Sequence, residues 1–101
     1  MNKQEFVNKL KKVHGPIRSM GQGRTYVDIE CNERYCKGMR LESNSQFVIN
    51  TDALYDAYLS EYILIPSVVL SYMSNKRVGS PGAAILHAAG LTDENGRKKI
   101  E

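Results

Sequence analysis

The chain has 101 residues, of which 42% are hydrophobic and 25% are charged, and its formal net charge is +3. This composition is close to that of ordinary globular proteins and excludes a disordered, collagenous or low-complexity chain. The apolar run at residues 62–65 ends at Pro66, and no apolar run approaches the roughly 20 residues of a membrane helix. The first residues lack the apolar stretch of a secretion signal. We therefore expect one soluble cytoplasmic domain over residues 1–101, without a membrane partner.

The N-terminal segment has the pattern of an amphipathic helix. Asn2 and Glu5 have the spacing of a helix capping box, and apolar residues recur after them at helical intervals. The pattern predicts a helix over 3–13, which ends before the Gly-Pro pair at 15–16. We expect the glycine-rich stretch 15–23 to be a loop.

Three strands follow, with short polar turns between them. Alternating apolar residues and β-branched residues predict strands over about 24–31, 37–42 and 46–50. Strands joined by short turns pair in antiparallel fashion, because a parallel pair needs a long crossover. The sequence therefore predicts a three-stranded antiparallel meander with one apolar face.

The pairing of the first hairpin decides whether its two cysteines meet. Val27, Ile29 and Cys31 alternate onto one face of the first strand. Pairing Ile29 with Met39 keeps that face apolar and sets Cys31 away from Cys36. We expect this register, and with it two free thiols, which are also the usual state in the cytosol.

The remainder of the chain predicts three helices. Thr51 is a suitable N-cap for a helix over 52–61, and Pro66 is suited to the first turn of the next helix. Ser80 is a suitable N-cap for the last helix, over 81–89. Since 81–89 is apolar on almost every side, we expect this helix to be buried.

These elements together predict an α+β fold. An N-terminal helix comes first, then the three-stranded antiparallel meander, and then three helices that pack on one face of the sheet. Gly90 fits just past the end of the last helix. The final segment, 92–101, is polar, and we expect it to be a frayed tail.

Charge is unevenly distributed along the chain. Residues 1–24 carry a net charge of +5, residues 25–50 of −1, residues 51–75 of −3 and residues 76–101 of +2. Such asymmetry suggests an anionic partner, although solvated surface charge is its more common explanation.

The most specific local feature lies at residues 76–82. Lys76 and Arg77 come directly before the predicted helix start at Ser80. Unpaired backbone N–H groups and the helix dipole favour anions at such a position, so a phosphate or a nucleic-acid backbone is the natural ligand. The ordinary alternative is a solvated loop between two helices.

Other side chains are candidates for the same ligand. Arg18 and Arg24 lie on either side of Gly21 and Gly23, and Lys11 and Lys12 lie on the first helix. Tyr26 alternates with the apolar positions of its strand, so we expect it on the polar sheet face, where it could stack on a base.

Base recognition by the last helix is not expected, because His87 is the one polar side chain that 81–89 offers. If nucleic acid binds, we therefore expect the protein to contact mainly its phosphates. The leading interpretation is a small non-enzymatic nucleic-acid-associated protein that binds DNA or RNA phosphates through basic loops. The alternative is a protein–protein interaction module, or a homodimer, that uses a Tyr- and Met-rich helical surface.

No metal, cofactor or catalytic site is expected. The two cysteines have C-x4-C spacing, and His14 and His87 lie far from them in sequence. A structural zinc site needs four ligands, usually in closer pairs. The serines also lack the sequence context of an activated nucleophile.

Overall fold

The computed structural model describes residues 1–75 and 77–99. In chain order the elements are α1 (Lys3–Leu10), β1 (Ile17–Arg18), β2 (Thr25–Cys31), β3 (Tyr35–Arg40), β4 (Ser45–Asn50), α2 (Thr51–Ser60), α3 (Pro66–Leu70) and α4 (Gly79–Ala88). The strands form an antiparallel sheet in the order β1-β2-β3-β4. The predicted α+β class and order of elements are confirmed, with one strand more than expected.

The additional strand is β1, which the sequence places in a loop. Ile17 pairs with Tyr26 and Arg18 pairs with Thr25 at the edge of the sheet. A strand of two residues is too short to show an alternating pattern, and the glycines and proline around it favour a loop.

The first helix is capped as predicted. The Asn2 side chain accepts a hydrogen bond of 2.9 Å from the Glu5 backbone N–H. The helix ends at Leu10, earlier than expected. Val13 is nevertheless buried, because a turn after the helix brings it back to the core. Because Val13 is apolar and buried, it continues the helical sequence pattern past Leu10, where the helix ends.

The predicted register of the hairpin between β2 and β3 is wrong. Val27 pairs with Met39, and Cys31 lies directly opposite Cys36. The register shifts between these pairs, at a β-bulge that contains Asp28 with φ of 54°. The extra residue allows the apolar pairing at one end and the cysteine pairing at the other. The predicted register assumes strict alternation along β2, which leaves no place for the extra residue of a bulge.

The bulge also changes which side chains face the core. Tyr26 is 1% exposed, whereas Val27 is only partly buried. In β3, Cys36 and Gly38 are buried, and Leu41 just after the strand is 57% exposed. The predicted position of Tyr26 on the polar sheet face is therefore wrong, because the alternation that placed it there does not continue through the bulge.

The helices cover one face of the sheet, as predicted. Residues from the helices and from β2, β3 and β4 form a continuous core. Its largest fully buried apolar side chains include Phe6, Leu10, Tyr26, Ile49, Leu54, Leu64, Ile85 and Leu86. The other sheet face meets solvent, with Val48 52% exposed and a Lys37–Glu30 ion pair at 3.8 Å.

Two predicted N-caps are wrong by one or more positions. The cap of α2 is Asn50, whose side chain accepts a 3.0 Å hydrogen bond from the Ala53 N–H, and Thr51 is the first helical residue. Helix α4 starts at Gly79, so Ser80 lies inside its first turn, and the N-cap Val78 offers no capping side chain. Helix α2 thus begins at Thr51 itself, and α4 begins one residue before Ser80, so neither favoured residue is the cap.

The last helix is buried over most of its length, as expected, whereas His87 and Ala88 at its end are exposed. Residues 81–86 are all buried, and Gly90 has a φ of 79° just past the helix end. The segment after it is held in place over 92–99, unlike the frayed tail expected there. The Lys98 N–H donates to the Tyr62 carbonyl at 2.8 Å and the Lys99 N–H to the Leu91 carbonyl at 3.0 Å. Residues 100 and 101 lie outside the described residues.

Candidate nucleic-acid interface

A cleft with a volume of about 450 Å³ lies at the start of α4, beside the ends of β2, β3 and β4. Its lining combines arginines with hydroxyl-bearing side chains and one proline: Arg24, Arg40, Arg77, Tyr26, Ser43, Ser45, Ser80 and Pro81. Among the described residues, the lining contains three positive charges and no carboxylate. It therefore favours an anion that can accept several hydrogen bonds.

Arg24 and Arg77 reach the cleft from well-defined backbone positions. The Arg24 N–H donates to the Ser19 Oγ at 3.2 Å, and the Arg24 carbonyl accepts from the Ser19 N–H at 2.9 Å. The Arg77 N–H donates to the Asn75 side-chain oxygen at 2.9 Å. Both arginines are exposed. Their backbones are fixed while their guanidinium groups remain in contact with solvent.

Arg40 joins the two sides of the cleft. Its guanidinium donates to the Gln46 carbonyl at 3.1 Å and to the Arg77 carbonyl at 2.7 Å, and it lies 5.6 Å from the centre of the Phe47 ring. A guanidinium group has five N–H donors, so these two bonds do not exhaust it. Arg40 is thus a positively charged group held in one orientation at the cleft.

Sequence analysis did not select Arg40. In β3 it occupies the same face as Cys36 and Gly38, which point toward the core. An arginine on an inward-facing row at a strand end is a signal for a polar site. The sequence pattern places the apolar Met39 on the inward face, so it places the neighbouring Arg40 on the outward face. Ser43 of the following turn and Ser45 at the start of β4 were missed with it.

The start of α4 forms one wall of the cleft. The Ser80 Oγ lies 2.9 Å from the Tyr26 hydroxyl oxygen, so the two hydroxyl groups are hydrogen-bonded. Among the described residues, no side chain caps this helix, and Ser80 and Pro81 of its first turn line the cleft, so the positive end of the helix dipole lies beside it. Pro81 has no N–H to offer. Because the Tyr26 ring is buried, the residue presents its hydroxyl group to the cleft and does not stack on a base.

The remaining predicted residues lie elsewhere. The Arg18 guanidinium donates to the Gln22 carbonyl at 2.8 Å and supports the loop between β1 and β2. Lys11 and Lys12 are exposed just after α1 and do not line the cleft. Lys76 lies outside the described residues. The structure therefore brings together four of the predicted residues: Arg24, Tyr26, Arg77 and Ser80.

One carboxylate lies close to the cleft without lining it. The Glu42 side chain accepts hydrogen bonds from the Thr25 N–H at 3.0 and 3.1 Å. This amide lowers the pKa of Glu42, and the charge of Arg24 lowers it further. Glu42 is bonded to the start of β2 and does not line the cleft, so it reduces the positive field near Arg24 without blocking the cleft.

Part of the Tyr- and Met-rich surface of the alternative interpretation is packed against the core, whereas Tyr62 is 56% exposed. Tyr58 is 6% exposed, and Tyr55, Tyr72 and Met73 are partly buried against the core cluster. The Tyr72 hydroxyl donates to the Glu61 carboxylate at 2.5 Å, which raises the pKa of Tyr72.

No protein-family model matches the chain, and neither a curated protein nor a solved structure matches it. Within residues 1–75 and 77–99, no three His, Cys, Asp or Glu side chains are grouped so that they could hold a metal ion. Across that same part of the chain, every helix is too short or too polar to cross a membrane.

Proposed function

We propose that this protein is a small non-enzymatic binding protein that holds nucleic-acid phosphates in the cleft at the start of α4. The observation that carries the proposal is the convergence of Arg24, Arg40 and Arg77, from three separate parts of the chain, on one cleft. Guanidinium groups match the geometry and charge of phosphate oxygens. The cleft serines add neutral hydroxyl groups that can complete the hydrogen bonding of a phosphate.

The contacts in this proposal are to the backbone of the nucleic acid and not to its bases. The cleft offers arginines and hydroxyl groups, and its one aromatic residue, Tyr26, is buried. Phosphate contacts carry no sequence information directly. Binding should therefore depend little on base sequence and strongly on salt, because each phosphate contact releases condensed counterions.

The proposal is tested by fluorescence polarisation with labelled single- and double-stranded DNA and RNA of mixed sequence. We expect binding at low salt, with a logarithm of affinity that falls linearly with the logarithm of salt concentration. Absence of binding to every probe at low salt would overturn the proposal.

Binding that does not weaken with salt would also contradict it. Sedimentation at increasing protein concentration then distinguishes the alternative: an apolar homodimer interface should give a concentration-dependent mass that salt does not reduce.

A further inference from the structure

The two cysteines form a second chemical feature, independent of the cleft. Cys31 at the end of β2 and Cys36 in β3 are direct partners across the hairpin. The turn between them is closed by a 2.9 Å hydrogen bond from the Asn32 N–H to the Tyr35 carbonyl. The Asn32 side chain also accepts hydrogen bonds from the Arg34 and Tyr35 N–H groups, at 2.8 and 2.9 Å. The hairpin end is therefore well defined.

The hydrogen bonds of the turn decide whether the two cysteines form a hydrogen-bonded or a non-hydrogen-bonded pair of the β-ladder. Since Asn32 and Tyr35 are a hydrogen-bonded pair, the next pair along the ladder, Cys31 and Cys36, is a non-hydrogen-bonded pair. Opposite residues in such pairs have Cα atoms about 4.5 Å apart. Disulfides accept Cα separations of about 4.4–6.8 Å. The backbone is thus already placed for a disulfide, although both thiols are free here.

The surroundings of the thiols set their reactivity. Cys31 is 7% exposed and Cys36 is 0% exposed. A side-chain hydrogen bond with Cys36, together with burial, raises the pKa of Cys31. The Cys36 Sγ also lies 3.9 Å from the Thr51 Oγ1. A protonated thiol is a poor nucleophile, so the reduced pair should react slowly, and faster as pH rises.

We propose that Cys31 and Cys36 are a reversible redox pair that closes to a cross-strand disulfide in the presence of a low-molecular-weight disulfide such as oxidised glutathione. The Cys31 thiolate, on the more accessible side, attacks one sulfur of that disulfide and displaces one small thiolate. The Cys36 thiolate then attacks the Sγ of Cys31 in the mixed disulfide and displaces the second. The two protein thiols lose two electrons, and their two protons end on the two small thiols released.

The full chain is incubated with oxidised glutathione at mildly alkaline pH, and free thiols are then alkylated and counted by mass spectrometry. We expect loss of both thiols as an intramolecular disulfide, an unchanged circular dichroism spectrum, and full reversal by dithiothreitol. The proposal is overturned if the folded protein keeps two free thiols, if closure requires denaturant, or if oxidation gives only disulfide-linked dimers.

Two matched variants test the order of attack. Cys36→Ala lacks the second thiol, so we expect it to accumulate a mixed disulfide on Cys31. Cys31→Ala retains only the fully buried thiol of Cys36, so we expect the folded variant to react much more slowly than Cys36→Ala. Equal reaction of both variants would overturn the assignment of Cys31 as the attacking residue. The wild-type measurement remains decisive if either variant fails to fold.

Discussion

Two buried threonines differ in whether their hydroxyl group is hydrogen-bonded. The Thr51 Oγ1 donates to the Asn32 carbonyl at 2.9 Å, whereas the Thr92 Oγ1 has no hydrogen-bond partner within the described residues. Both residues are at most 1% exposed. A buried hydroxyl group without a partner costs free energy, and a satisfied one stabilises the fold.

The substitution to valine should therefore have opposite effects at these two sites. We expect Thr92→Val to raise the free energy of unfolding by about 1 kcal/mol and Thr51→Val to lower it by roughly 1–3 kcal/mol. Urea denaturation measures both changes. A loss of stability in Thr92→Val as large as that in Thr51→Val would show that the Thr92 hydroxyl group is satisfied.

Gly38 leaves the space that the Phe47 ring occupies. A Cβ at Gly38 would lie 2.7 Å from the Phe47 Cζ, and that ring is confined by Tyr26 with centroids 5.6 Å apart. We expect Gly38→Ala to cost roughly 1–3 kcal/mol through overpacking. The matched control is Gly21→Ala, where no atom lies within 4 Å of the new Cβ. Thermal denaturation that ranks the two variants equally would contradict this packing.

At the scale of elements, α4 contributes most of its length to the core. Ile85 is 0% exposed, so Ile85→Ala should destabilise the protein by roughly 2–5 kcal/mol. The control is Leu59→Ala in α2, because Leu59 is 52% exposed. We expect that change to cost less than about 1 kcal/mol. Chemical denaturation of both proteins makes the comparison, and a small loss in Ile85→Ala would place α4 on the surface.

The helices of this fold were predictable from sequence because their signals are local. The Asn2 cap, the proline at the start of α3 and Gly90 after α4 each act within one or two turns. The strand faces were not predictable in the same way. They depend on the bulge at Asp28, whose position is set by pairing with β3 and by the Ile29 N–H bond to the His14 carbonyl at 2.9 Å.

The candidate site was predictable only in part for the same reason. Arg77 and Ser80 are neighbours in sequence, and a helix start beside basic residues is a recognisable pattern. Arg40 joins them only because the β3 register turns it toward α4. Its contact with the Arg77 carbonyl spans 37 residues of chain. Tertiary pairing of that kind has no signature in either segment alone.

At the scale of the whole molecule, the basic segment 1–24 and the basic cleft share only Arg24. Residues 1–24 have the largest net charge, yet Lys11 and Lys12 lie outside the cleft. The cleft collects its arginines from three separate segments. A ligand held by the cleft should therefore depend on particular arginines, whereas bulk attraction would depend only on the number of charges removed.

The measurement that tests binding by the cleft arginines most directly is the salt dependence of nucleic-acid affinity in two matched double variants. Arg24→Ala/Arg77→Ala removes two charges from the cleft, and Lys11→Ala/Lys12→Ala removes two from another surface. The Arg77 carbonyl that holds Arg40 is backbone, so it survives the first change. All four residues are exposed, so stability should change little.

We expect the cleft variant to bind more weakly to every probe sequence, with the slope of log affinity against log salt reduced by about one to two units. The lysine variant should keep a slope near that of the wild type. Equal changes in the two variants, or an unchanged slope in the cleft variant, would contradict a phosphate site at Arg24, Arg40 and Arg77.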